Sequence, residues 1–293
     1  MLTNSDLIEL TNFRRALHTC PEVSGEESET ADTIAAALRP LSPARVLRGL
    51  GGYGVAAVFE GLKDGPTVLF RAELDALPIR ELSDLPWSSR YEGKGHLCGH
   101  DGHMTMLLAL GRLIAREPIP AGRVVLMFQP AEEDGSGARA VAADRAFAEI
   151  APDWAFAIHN DPGRALGTVG LRDGLINCAS QGLQITLTGK TAHAANPEDG
   201  TSPTQAVGQL IPALDALSTG GALDDDFRLV TLTHIRVGEP CFGISPGEAV
   251  IHATLRTTND AGMADLAASA RRRAAPCRFT FSSRLSSRIT SCT

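Results

Sequence analysis

Residues 103–130, HMTMLLALGRLIAREPIPAGRVVLMFQP, read as a helix followed by a buried strand. The first half places apolar residues at helical spacing, and RVVLMFQP is a short apolar run bounded by Pro and Gly. The same alternation continues outward in both directions. Downstream, GARAVAADRAFAEI (137–150) reads as a helix and DWAFAIHN (153–160) as another buried strand. Upstream, GYGVAAVFEGLKDGPTVLFRAEL holds two apolar runs around a KDGP turn, which predicts adjacent strands at 54–60 and 66–72. Two amphipathic helices open the chain: SDLIELTNFRRALHTCPE, with Ser5 as N-cap and Pro21 beyond its end, and ESETADTIAAALRPL. Strands alternating with helices predict an α/β fold with a mostly parallel sheet and flanking helices.

Near residue 177 the pattern changes. LQITLTG, a helix at about 201–218, FRLVTLTHIRV and GEAVIHATLRT follow as strand, helix, strand and strand, the outline of a smaller α+β domain. The expected division is the α/β domain over 1–176, a small domain over 177–268, and an Arg/Ser-rich tail over 269–293.

Of the 293 residues 43% are hydrophobic, as in a globular protein. The net charge of −7 is unevenly spread, because six arginines and no acidic residue follow Asp265. The remainder is therefore more acidic still, which argues against nucleic acid as a partner. No window is apolar enough for a membrane helix, and the N-terminus lacks the basic start and apolar core of a signal peptide. Six scattered cysteines without a CxxC pair indicate a reducing, cytoplasmic setting.

The chemistry concentrates in HLCGHDGH (96–103), where Cys98 and His100 stand two apart in a Gly-rich turn. Glu73 and Asp75 in RAELDALP, Glu132 and Glu133 in FQPAEEDG, and His159 in AIHND each follow a strand, where α/β sheets place their sites. A thiolate, imidazoles and carboxylates suit zinc, manganese or cobalt, and the carboxylates favour an open site over a closed structural zinc. Of two adjacent glutamates leaving a strand, one can bind metal while the other handles protons, the pairing that hydrolysis needs. A different reading makes Cys98 a nucleophile with His100 as its base.

RAELDALP, HLCGHDGHMTMLLAL, VVLMFQPAEEDGSGA, AIHN and GKTAHAA, in this order and spacing, resemble the metal-dependent amidohydrolases of the aminoacylase and carboxypeptidase clan. The branch most alike is that of hippurate hydrolases and plant hydrolases of auxin–amino acid conjugates. The resemblance runs from residue 1 to about 260 and implies a catalytic α/β domain binding two divalent ions (zinc or manganese, with cobalt or nickel as alternatives) and an inserted lid or dimerisation domain. It implies an N-acyl amino acid or related small amide as substrate, and a homodimer through the lid.

It further implies Cys98, His100, Glu133 and His159 as metal ligands and Glu132 as general base and acid. Asp75 and Asp101 would hold ligands in place by hydrogen bonding. His193 would contact the scissile carbonyl oxygen, and His103 opens a helix and helps to shape its turn.

Three departures stand out. CFGISPGEA puts Gly243 where the family often has the asparagine of Asn-x-Ile-Pro, and Glu73 replaces an aspartate. Family members also continue for about another hundred residues and there supply a last metal-binding histidine. Here RRRAAPCRFTFSSRLSSRITSCT follows, which reads as an out-of-frame or truncated end, or as a basic tail for an acidic partner. A chain lacking that ligand could also be an inactive member that binds metal weakly or serves only in ligand binding or dimerisation.

Overall fold

The computed structural model describes residues 1–171, 173 and 178–275, together with the backbone of 280–286. The chain forms two compact units, Met1–Thr168 and Val169–Thr293.

The first unit opens with α1 (Asn4–Thr19) and α2 (Ser28–Leu38), followed by β1 (Arg45–Leu50), β2 (Gly54–Glu60) and β3 (Thr67–Glu73). It continues through α3 (His100–Arg116), β4 (Arg123–Gln129), α4 (Gly137–Ala143) and β5 (Trp154–Ala157). The N-cap of α1 is Thr3 rather than Ser5: its hydroxyl accepts from the Asp6 N–H, and the Asp6 carboxylate accepts from the Thr3 N–H. That reciprocal pair satisfies two otherwise orphaned donors, which a cap at Ser5 would leave open.

The five strands lie in the order β1-β2-β4-β3-β5, with β4, β3 and β5 parallel and β2 antiparallel to both its neighbours. The strands expected to be adjacent around KDGP are thus separated by β4. The reason lies in the loop itself, which clasps the entry to β4: Gly61 N–H donates to Gly122 O (2.7 Å) and Gly122 N–H to Lys63 O (2.8 Å). Gly122 has φ +75°, and a Cβ there would strike Pro66 O, so the close approach requires glycine.

β4 is covered on both faces, which is why it reads as an unbroken apolar run. Leu126 and Phe128 pack with Leu10, Ile34, Leu38, Met104 and Leu108 from the three helices, and Val125 and Met127 with Val58, Leu69, Val141 and Ile150 on the other side. Two expectations need correction. The helix read over 137–150 stops at Ala143; the Asp144 carboxylate caps Ala146 N–H and starts a separate 3-10 turn, Arg145–Glu149. DWAFAIHN is not buried either: every residue of β5 is exposed, because it is the edge strand and pairs only with β3 among the described residues.

The second unit contains β6 (Ala179–Thr188), β7 (Ala192–His193), α5 (Thr204–Asp215), β8 (Arg228–Val237) and β9 (Ile244–Ser245). It ends with β10 (Glu248–Thr257), α6 (Asp260–Ala274) and β11 (Thr280–Ser286). Strands β11-β6-β10-β8 make one antiparallel sheet, and β7 pairs with β9. Leu183, Ile185, Leu187, Ile251 and Leu255 pack with Leu210 and Leu214 of α5 and Leu266 and Ala270 of α6. Helix α6 runs through residue 268 and places Arg271, Arg272 and Arg273 in its last turn, where positive charge complements the helix dipole. The rest of the basic tail, 276–279 and 287–293, lies outside the described residues.

Candidate metal centre

Because β3, β4 and β5 run parallel, the loops after them leave the same edge of the sheet, and each delivers a site residue. Asp75 follows β3, Glu132 and Glu133 follow β4, and His159 follows β5. The fourth contribution is the turn before α3, where Gly99 at φ +96° separates Cys98 from His100. Cys98, His100, Glu132, Glu133 and His159 converge in this way. Cys98 Sγ is 3.3 Å from His159 Nε2, and His100 Nε2 is 3.8 Å from Glu133 Oε1 and 3.9 Å from Glu132 Oε2.

In both imidazoles Nδ1 is committed to a backbone carbonyl, and Nε2 faces the other groups of the cage. His100 Nδ1 donates to the Asp75 carbonyl oxygen (2.8 Å), and His159 Nδ1 donates to the Asn160 carbonyl oxygen (2.8 Å), leaving both Nε2 atoms turned toward the centre. His100 Nε2 and Glu133 Oε1 are buried and have no hydrogen-bond partner. A lone pair facing a carboxylate oxygen at 3.8 Å is too far for a hydrogen bond and unfavourable without a positive charge between the two. Two ligands each about 2.0–2.2 Å from a divalent ion leave a gap of this order.

The electrostatics agree. Burial disfavours the charged His100 ring, yet its hydrogen bonds to the acceptors Asp75 and Cys98 and the charge of Glu73 outweigh it and push its pKa up to about 11, so that without a metal the ring itself carries the positive charge, as a proton on Nε2. Burial raises the Glu133 carboxyl, with His100 opposing and Glu132 adding to the rise. The centre is a cage that attracts a cation, and its donor set fits a divalent metal.

The supporting contacts come from segments that carry no motif. Asp75 Oδ2 accepts from Ser24 Oγ (2.7 Å) and from the Glu133 N–H (2.9 Å), so the buried aspartate ties the β3 and β4 loops to the segment before α2. Glu27, wholly buried, accepts from the Ala131 N–H (2.6 Å) and the Gly25 N–H (2.9 Å). Ala131 stands at φ +47°, in the left-handed region that costs a non-glycine residue about 1–2 kcal/mol. This bend turns the chain into Glu132 and Glu133. Glu27 and Ser24 lie too far along the chain for sequence pattern to associate them with the cage.

Asp101 turns away from the cage toward α1, where it accepts from His18 Nδ1 (2.8 Å) and Arg14 (3.0 Å). Glu73 and His103 pair with each other, Nδ1 to Oε2 at 2.7 Å, and Arg71 also bonds Glu73. His193 belongs to the second unit, on the exposed strand β7, and its Nδ1 accepts from the Ala195 N–H (3.1 Å). The neighbouring Ala194 N–H donates to the carbonyl oxygen of Gly243 (3.0 Å).

A thiol, imidazoles and carboxylates gather at the carboxyl edge of a largely parallel sheet, a donor set of the kind that could hold a divalent metal in an α/β protein. Residues 69–283 match the family model described as peptidase family M20/M25/M40, and the chain belongs to that family. It is 36% identical over 250 residues to the N-acetyl-L-cysteine deacetylase of Bacillus subtilis, an alignment covering 85% of this chain and 59% of that protein. It is 31% identical to the hippurate hydrolase of Campylobacter jejuni, covering 86% of this chain and 65% of that one. Among solved structures it resembles the Bacillus subtilis YXEP protein, described as a dinuclear metal-binding peptidase of the M20 family, with a TM-score of 0.69 and 28% identity, over 97% of this chain and 74% of that one. The chain thus spans about three-fifths of the length of these curated relatives.

Proposed function

We propose that the chain carries the metal centre of an amidohydrolase that cleaves the amide bond of N-acyl amino acids or related small amides. The observation that carries the reading is the buried, unpartnered pair His100 Nε2 and Glu133 Oε1, facing each other inside a cage of metal-binding groups. Cys98, His100, Glu133 and His159 would hold two divalent ions, zinc or manganese by the mixed softness of the set. When bound, such ions lower the pKa of water and polarise a carbonyl. Glu132, about one-third exposed at the rim, takes the proton of the attacking water as the new C–O bond forms. It then returns the proton to the nitrogen as the C–N bond breaks, so that acid and amine leave.

Asp75 steadies His100 and Glu133 through the contacts already described, and Asp101 holds the start of α3 against α1. The role of His193, donating to the carbonyl oxygen as charge builds there, rests on the family resemblance alone. A homodimer through the second unit and a cytoplasmic location belong to the same reading. Four unpaired cysteines, Cys20, Cys98, Cys178 and Cys241, support a reducing compartment. No helix among the described residues is long and apolar enough to cross a membrane.

The test is metal analysis of the purified chain with hydrolysis assays on an acyl amino acid panel that includes N-acetylcysteine and hippurate. Metal-dependent release of free amino acid, lost to chelator and restored by metal, is expected. A metal-loaded chain that turns over no amide would contradict it. That outcome would favour a second reading, metal binding without hydrolysis.

A further inference from the structure

The side chain of Asn160 lies against the Cα of Gly99: a Cβ at Gly99 would collide with Asn160 Oδ1. Gly99 sits between Cys98 and His100, whereas Asn160 directly follows His159. One amide therefore touches both segments that carry the thiol and the imidazoles. The same residue accepts from His159 Nδ1 through its carbonyl oxygen (2.8 Å) and so keeps His159 Nε2 free to face Cys98. Its other end is gripped by His103, whose Nε2 lies 2.8 Å from Asn160 Oδ1 and 3.2 Å from the Asn160 backbone nitrogen. His103 is in turn fixed through Nδ1, which donates to the buried Glu73 carboxylate (2.7 Å). A carboxylate only accepts, so Nδ1 carries the ring proton and Nε2 accepts, from the Asn160 backbone N–H and from the NH2 end of the side-chain amide, the orientation of the amide that this network requires.

We infer that Asn160 is a positioning residue, a clamp anchored by the Glu73–His103 pair that holds His159 in register with the Cys98–Gly99–His100 turn. The inference rests on the proposed metal role of these ligands and adds to it the device that keeps two separate loops at ligand distance. Hydrogen bonds behind metal ligands of this kind typically govern about 10–100-fold in affinity.

The experiment is calorimetric titration of Zn2+ into the full chain and into Asn160→Leu, Asn160→Asp and His103→Gln, each checked for folding by circular dichroism. Asn160→Leu keeps the volume and removes the hydrogen bonds of the amide, and it should weaken Zn2+ binding about 10–100-fold. Asn160→Asp keeps the shape but offers no side-chain N–H to His103 Nε2, so it should lose about as much as Asn160→Leu. The double variant Asn160→Leu/His103→Gln should lose little more than Asn160→Leu alone, since the two residues act in series. Unchanged affinity in a folded Asn160→Leu would overturn the inference, as would full affinity in Asn160→Asp. Absence of Zn2+ binding by the parent chain is a separate result, and it would overturn the metal reading beneath.

Discussion

At the scale of single residues, the account divides the two adjacent glutamates by their surroundings. Glu133 is the more buried and has an oxygen without a partner; Glu132 sits at the rim. Glu132→Gln should therefore keep the metal content of the parent while kcat on the best amide falls about 10²–10⁴-fold, the usual contribution of a general acid–base group. Equal loss of metal and rate would move Glu132 into the ligand set. Glu27 works on the backbone instead. Its carboxylate receives two N–H donors, one of them from the left-handed Ala131. Glu27→Ala would leave the buried Ala131 N–H without its acceptor, at about 1–3 kcal/mol, while the exposed Gly25 N–H can turn to water. Urea denaturation should show the fall, and a change under about 0.5 kcal/mol would show that the bend holds without Glu27.

At the scale of elements, α1 is fastened to α3 by charge at both ends. The Asp6 carboxylate bonds Arg112 (2.9 Å) and Arg116 (2.6 Å), and Asp101 bonds His18 and Arg14. The Arg116 guanidinium and the Thr3 cap hold the Asp6 carboxyl well below the usual range, so its contribution is present above about pH 4 and is lost as pH falls further. Asp101 raises His18 against the opposing effect of burial, so that contribution is complete below about pH 6.5 and fades as pH rises through the raised value. Melting temperatures across pH should show Asp6→Asn removing part of the acid-side fall and His18→Gln part of the alkaline-side fall; parallel curves would contradict this. Strand β5 carries a different liability. Trp154, 64% exposed, and Phe156 lie on an edge with one neighbour among the described residues, a template for unwanted pairing. Trp154→Lys should reduce self-association in light scattering with little change in melting temperature, and undiminished association would place the contact elsewhere.

At the scale of the whole molecule, what was legible in the sequence is what short-range pattern can carry. The apolar run of β4, the helical spacing of α3 and strands β6, β8 and β10 of the second sheet were readable because each buries a face set by its own residues, whereas β11 lies in the stretch that reads as a patternless tail. Strand order was not: KDGP looks like a hairpin turn, and only the long-range clasp on Gly122 shows that β4 enters between its arms. β5 reads as buried because its composition is apolar, while its exposure depends on which strands pair with it. The cage residues were named from motifs at strand ends, but their support by Ser24, Glu27 and Asn160 was hidden in contacts between distant segments. The central claim is that Cys98, His100, Glu133 and His159 hold a divalent metal, and it is tested most directly by titrating Co2+ into the purified chain while recording absorption. A saturable thiolate-to-cobalt charge-transfer band that disappears in Cys98→Ser is the expected result. No band, or one that survives in Cys98→Ser, would contradict the assignment.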